Sequence, residues 1–370
     1  MPASTSPSSD TAETPRPIRE ERRDALTTID EVAPGVLRIQ LPISLPGLGH
    51  VNCYAIPDSR GVALVDPGLP GPKTKRVLKQ RLAEAGFKPR DVHTVVVTHS
   101  HPDHFGQAGY FGRLGAKVIT HESFRTWLDP ASEADDETID VAVTPTDAHL
   151  EAIARHEAND ETERTAWGGE PHSLPWRRKL AYKAMRKAGG RLMPLPKPTD
   201  RVVDADVLSL GDTEWVSVHT PGHTPDHLCL WSPTTGAFIS GDHVLPTITP
   251  HISGNSDAID PLANFFESLE RMSEIEGVTT VLPAHGLAFE ALGDRAQAIK
   301  RHHEERLDIL RAASAELGNG TVAQYMEHLF QPRSWGHMAE SETYAHLEHL
   351  RLLGEAKVDY SGRLLKYSIG

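Results

Sequence analysis

The stretch VVVTHSHPDHFGQAGYF, Val95 to Phe111, runs from β-branched residues straight into three histidines and an aspartate within six positions. Its first part reads as a buried strand, so the coordinating groups sit where that strand ends. His99 and His101 are two apart; while the chain stays extended both rings project to one side, and Asp103 continues that side. Pro102 disfavours helical geometry at His101, so the open conformation is expected to last until His104 begins the next helix. Two imidazoles can then meet on one ion, and the carboxylate with the next imidazole on a neighbouring one. Neutral imidazole and carboxylate suit Zn²⁺, and a hydrolytic site leaves one coordination position for water.

The surroundings alternate strand and helix. From Gly35 to Gly61, VLRIQL, NCYAI and VALVD read as a meander, and TKRVLKQRLAEAG follows with Val77, Leu78, Leu82 and Ala85 at helical spacing. After His104, Ala108, Phe111 and Leu114 share a helical face, and AKVIT is another strand. The second half repeats the manner: WVSVHTPGH, HLCLWS, GAFISGD and TTVLPAHG are strands, and DPLANFFESLERMSEI is a helix with Asp260 as N-cap and Pro261 at its first position. Two β-rich halves, each ending in helices, imply sheets packed face to face with helices outside, a four-layer αββα sandwich of the α/β class.

Three later segments, HTPGHTPDH, FISGDH and VLPAHG, deliver His223, Asp242 and His285 immediately after expected strands, and Asp66 in VALVDPG does the same. The blocks LVDPG, THSHPDH, TPGHT, SGDH and PAHG, spread over roughly residues 35 to 300, resemble the metallo-β-lactamase superfamily. The resemblance implies the αββα fold and a site for two Zn²⁺ ions, with iron or manganese as other occupants. It assigns His99, His101 and His223 to the first ion, Asp103, His104 and His285 to the second, and Asp242 as a bridge. Asp66 would hold the histidine loop or a ligand ring in place. His227 and His243 are read as structural, His251 as a weak substrate contact, and His93, His121, His302 and His303 as solvated.

Two such ions sharing a water would bring its pKa near neutrality, and Asp103 would orient the resulting hydroxide and shuttle its proton. The carbonyl of an ester, thioester or lactone is the expected target. A helical insertion at about 122–200 has an acidic half and a basic half; the basic part, 171 to 198, contains Arg177, Arg178 and Lys179, which would bind an anionic small molecule from a lid. Residues 301–370 turn helical and close with two alternating runs around Ser361-Gly362, resembling a winged-helix unit. That pairing also occurs in endoribonuclease-like relatives, whereas a mono-iron sulfur dioxygenase would need only two histidines and an aspartate. Glu340, Glu342, Glu348 and Glu355 against Arg351 make the expected recognition helix a poor surface for phosphates, so nucleic acid is disfavoured as partner.

Composition agrees with a globular enzyme. The formal charge is −13, from 38 basic and 51 acidic residues, which argues against wrapping nucleic acid through a global field. No apolar run is long enough to span a bilayer. Residues 1–25 are rich in Ser, Thr, Pro and charge and read as a disordered tail without a secretory signal. With Cys53 and Cys229 as the only cysteines, no disulfide framework is expected, and a cytoplasmic location is. The catalytic domain is expected over 26–300, and the segment HHEERLDIL with the terminal unit could serve a homodimer.

Overall fold

The computed structural model describes residues 19–126, 165–169 and 194–370. Seven strands form the first sheet in chain order: β1 (Ile29–Ala33), β2 (Val36–Leu45), β3 (Leu48–Asp58), β4 (Gly61–Val65), β5 (Val92–Val96), β6 (Lys117–His121) and β7 (Asp200–Val202). The first four are antiparallel neighbours, and β4 to β7 run parallel. The second sheet has the order β12-β11-β10-β9-β8, built from β8 (Val207–Leu210), β9 (Thr213–His219), β10 (Leu228–Ser232), β11 (Ala237–Gly241) and β12 (Thr280–Pro283).

The two-residue period of these strands deals side chains into separate cores. In β4, Ala63 and Val65 enter the layer between the sheets with Trp215, Leu228 and Leu230, while Val62 and Leu64 face the other way. There they meet Leu78 and Leu82 of helix α1 (Pro72–Glu84) and Phe111 of α3 (Ala108–Gly112), after the short α2 (Pro102–Phe105). On the far side, Cys229, Phe238 and Val281 pack on Leu262, Phe265, Leu269 and Met272 of α4 (Pro261–Ser273). The result is the expected four-layer αββα sandwich. Asp260 caps α4 by accepting from the Ala263 amide at 2.9 Å.

The C-terminal region comprises α5 (Leu292–Leu317), β13 (Gly320–Thr321), α6 (Val322–Leu329), α7 (His337–Leu352), β14 (Ala356–Asp359) and β15 (Lys366–Ile369). The last strands form a small sheet in the order β13-β15-β14. A boundary at residue 300 falls inside α5, because Leu292, Ala296 and Ile299 share one core with Leu307 and Leu310 and with the far side of the second sheet. Helix and sandwich are continuous there.

Three further expectations need correction. Residues 20–25 are not part of a disordered tail: Glu20–Arg22 make a 3₁₀ turn in which Glu21 is fully buried, accepting from the Thr247 amide at 2.8 Å, the Ile248 amide at 3.2 Å and the Thr247 hydroxyl. Composition hides this, since a lone carboxylate among charged neighbours gains its partners only from a distant loop. The terminal hairpin pairs Asp359 with Lys366, so its connection is longer than a turn at Ser361-Gly362; Leu365 in that connection is buried, and its amide donates to Trp167 of the insertion at 3.2 Å. The helix after the histidine motif starts at Pro102, which occupies its first position while His101 stays extended at φ −76° and ψ 144°. Arg177, Arg178 and Lys179, with residues 127–164 and 170–193 of the insertion, lie outside the described residues.

Candidate metal centre

Every donor of the site lies in the connection or helix that follows a strand. His99 and His101 follow β5, with Asp103 and His104 in α2; His223 follows β9, Asp242 follows β11 and His285 follows β12. Donor atoms of His99, His101, His223 and Asp242 all lie within 4.8 Å of one another, and so do those of Asp103, His104 and His285. Asp242 links the groups: its Oδ2 is 3.9 Å from His99 Nε2, 3.6 Å from His223 Nε2 and 3.6 Å from His104 Nε2, and its Oδ1 is 3.2 Å from His285 Nε2. Asp103 Oδ2 stands 3.7 Å from His104 Nε2 and 3.6 Å from His285 Nε2. Donors arranged tetrahedrally about one ion at Zn–N distances of ~2.0–2.1 Å would be about 3.3 Å apart, so these spacings fit a small cation.

The outward side of each ring decides what its inward nitrogen can do. His223 Nδ1 donates to the His251 carbonyl at 2.8 Å, and His285 Nδ1 donates to the His50 carbonyl at 2.7 Å. Carbonyls only accept, so both Nε2 atoms turn lone pairs inward. His104 Nδ1 is 2.8 Å from Asp66 Oδ2, which likewise accepts. Thr98 gives its own hydroxyl hydrogen to Asp66 Oδ2 at 2.7 Å, which leaves its oxygen to accept from His99 Nδ1 at 3.1 Å. When these rings are neutral, four lone pairs face two carboxylates. His101 Nδ1, 2.9 Å from His99 Nε2 and 3.1 Å from His223 Nε2, can donate to only one of them, and the inward nitrogens of His104 and His285 and Asp242 Oδ1 are buried without a hydrogen-bond partner among the described residues. Buried acceptors facing acceptors are costly unless a cation sits between them. The donor set fits a divalent metal.

Charge tells the same story. Burial drives His99 and His101 well below the usual imidazole range, and it also lowers His223, so all three are neutral donors. Burial would lower His104 too, yet Asp242, Asp66 and Asp103 hold it well above that range; His285 is raised against burial by Asp242 and then Asp103. Asp242 itself is kept well below the carboxylate range despite burial, by His285 and His104. The pocket demands positive charge.

Backbone geometry aims the side chains. Asp66 adopts φ +54°, a left-handed conformation rare outside glycine, and from it accepts from the Thr98 amide at 2.8 Å as well as from Thr98 Oγ1. Gly241, at φ +52°, turns the chain so that Asp242 points inward; a Cβ there would lie 2.6 Å from His227 Nε2. That nitrogen accepts from the Asp242 amide at 3.1 Å, which accounts for His227. Sequence reading misses three participants: Thr98, His50, and the carbonyl rather than the ring of His251. Thr98 was within reach, since it precedes the motif directly. The ring of His251 turns to Glu342 Oε2 at 3.2 Å. His121 and His303 are buried instead of solvated, and the two cysteines are free.

Comparison with known proteins agrees with this geometry. A metallo-beta-lactamase family protein from Thermus thermophilus superimposes with a TM-score of 0.70 at 27% identity, covering 92% of this chain and all of that one. The chain is also similar to a probable metallo-hydrolase, YqjP, of Bacillus subtilis strain 168, at 26% identity over 70% of this chain and 73% of the relative. An atrochrysone carboxyl ACP thioesterase of Aspergillus fumigatus is 26% identical over 44% of this chain and 51% of its own length. The first curated relatives are matched over less than two thirds of their length, 64% and 62%. The model of the Metallo-beta-lactamase superfamily matches residues 46–285, which include all seven converging side chains; the chain belongs to that superfamily.

Proposed function

We propose that the protein is a metal-dependent hydrolase working with two divalent ions, zinc by preference, on the ester, thioester or lactone carbonyl of an anionic small molecule. The observation that carries this is the double convergence of donors, with Asp242 reaching both groups. His99, His101 and His223 would hold one ion, Asp103, His104 and His285 the other, with Asp242 between them. When bound, such ions supply Lewis acidity and a water acidic enough to react near neutral pH. Asp103, almost fully buried, would orient that water and carry its proton toward the leaving group. Asp66 and Thr98 keep the rings of His104 and His99 in one tautomer, so no reorganisation is needed as charge develops. The thioesterase relative supports the carbonyl class, because a thioester is what its name says it cleaves.

A mono-iron dioxygenase would leave Asp103, His104 and His285 without a task, although their donors are gathered as closely as the others. We also read 292–370 as a winged-helix-like unit whose third helix, α7, is used for packing. Ala339 and every residue from Ser341 to Arg351 in α7 are buried, which weighs against an exposed nucleic-acid reading helix. Among the described residues no helix is long and apolar enough to cross a membrane.

The deciding experiment is elemental analysis of purified protein with a hydrolysis screen over thioesters, lactones, β-lactams and RNA. Two zincs per chain and thioester or ester turnover, strongly reduced in Asp103→Asn, are expected. One iron with oxygen uptake, or turnover of RNA alone, would overturn the reading.

A further inference from the structure

The ring of His223 is oriented by a main-chain carbonyl, that of His251, in a segment between β11 and α4 with no regular secondary structure of its own. Something else must hold that carbonyl still. The segment lies along one face of α7, touching it about once per turn. Asn255 Nδ2 is 3.4 Å from His337 Nε2, and the Gly254 amide donates to Ser341 Oγ at 3.0 Å. A Cβ on Gly254 would come within 2.6 Å of Ser341 O and 3.2 Å of Ala345 N. His349 Nδ1 meets Asp260 Oδ2 at 2.8 Å. Residues 337, 341, 345 and 349 recur every four positions, which is one stripe of a helix.

Beside the stripe stands Glu342. Its Oε2 is 3.2 Å from His251 Nδ1 and its Oε1 pairs with Arg306 of α5. The carboxylate is almost fully buried, with two partners in place. We propose that Glu342 is a positioning residue of the metal centre: by clamping His251 it fixes the carbonyl that sets the tautomer of His223. The C-terminal helices thereby complete a site whose donors all come from the sandwich. This rests on the two-ion reading above, because only a bound ion makes the inward lone pair of His223 consequential.

The test uses the full chain and Zn²⁺ in competition with a chromophoric chelator, on Glu342→Ala, Glu342→Gln, His251→Ala and the double variant His251→Ala/Glu342→Ala. Histidine ¹⁵N spectra of metal-free protein report the His223 tautomer alongside. Glu342→Ala and His251→Ala should each weaken one of the two ions about tenfold or more and mix the tautomers. Their effects should not add, since both break one clamp, and Glu342→Gln should fall between wild type and Glu342→Ala. Should Glu342→Ala fail to fold, His251→Ala decides, because it leaves Glu342 paired with Arg306. Folded variants with wild-type affinity and a single tautomer would overturn the proposal, as would additive losses. A wild type that takes up no Zn²⁺ yet keeps one tautomer would instead sink the two-ion reading and leave the clamp standing.

Discussion

Two buried histidine clusters in this molecule look alike in composition and differ in physics. The first gathers His99, His101, His104, His223 and His285 around Asp103 and Asp242; the second sets His303 and His346 beside Glu342, with donors again within 4.8 Å. In the first, four rings spend their outward nitrogen on a carbonyl, a carboxylate or Thr98, so lone pairs converge on carboxylates. In the second, His346 Nδ1 donates to the Glu342 carbonyl at 2.7 Å, and His303 Nδ1 can satisfy the remaining His346 Nε2 at 3.0 Å. Glu342 is already paired with Arg306, where a cation would compete with a guanidinium. A count of ligand-type residues would rank both as metal sites. His303 Nε2 is also buried without a hydrogen-bond partner among the described residues, so the clusters are separated by the number of lone pairs that converge and by the unneutralised carboxylates of the first.

The sharpest way to break that contrast is through chemistry. Asp103→Asn keeps the shape of the first cluster and removes the charge that would both help hold the second ion and carry the proton; we expect kcat to fall by at least about 10²–10⁴-fold, the usual worth of a positioned general base, with folding unchanged by circular dichroism. Turnover within a factor of three of wild type would leave Asp103 without its role.

Acid should unsettle the second cluster, as it should the buried neutral rings of His99 and His101 in the metal-free first cluster. Burial lowers His346 to about 4 and holds His303 well below its ordinary range. Below pH ~6.5 the unfolded chain therefore takes up protons that the folded pair refuses, so stability falls as pH drops from about 6.5 towards about 4. For His346 alone the loss is on the order of 3 kcal/mol across that window. Denaturant unfolding of zinc-free wild type and His303→Leu/His346→Leu at several pH values checks it, and identical profiles from pH 7 to 4.5 would contradict the buried, neutral pair.

What the sequence shows of this contrast is uneven. The seven residues the structure brings together are legible because each stands just past a β-branched or apolar run, and strand ends on one edge of a sandwich meet by topology. The partners that fix their tautomers are not. The carbonyls of His50 and His251 leave no mark in a side-chain pattern, and Glu21 or Glu342 finds its buried partner more than thirty residues away. The same limit applies to α7, which the sequence marks only as a poor surface for phosphates, whereas the structure buries Glu342, Glu348 and Arg351 in a helix packed against α4, α5 and α6. His303 reads as solvated beside His302 and Glu304 because no local rule reveals a ring facing it from α7.

A smaller effect probes the support of the first cluster. Asp66→Ala removes the acceptor of His104 and of both Thr98 donors. Zinc affinity by chelator competition should weaken about 10–100-fold, the range for groups that orient ligands. An unchanged affinity would mean that packing alone holds the two rings.

The smallest expected effect is the most discriminating. His303→Leu alone would strand His346 Nε2 in the core, which costs about 1–3 kcal/mol. The double variant His303→Leu/His346→Leu removes both partners together, and such paired replacements by apolar groups of similar shape are close to neutral. We expect thermal stability within about 1 kcal/mol of wild type at pH 7, by the same principle, together with a shallower loss in acid and the wild-type zinc content. Had the second cluster been a metal site, the double variant would lose one ion per chain and its chelator-sensitive stability, since binding to the folded state alone adds about 4 kcal/mol at a thousandfold excess over Kd. Because neutral rings, a carboxylate and burial are present in both clusters, that result would show that the direction of the lone pairs does not decide where metal binds.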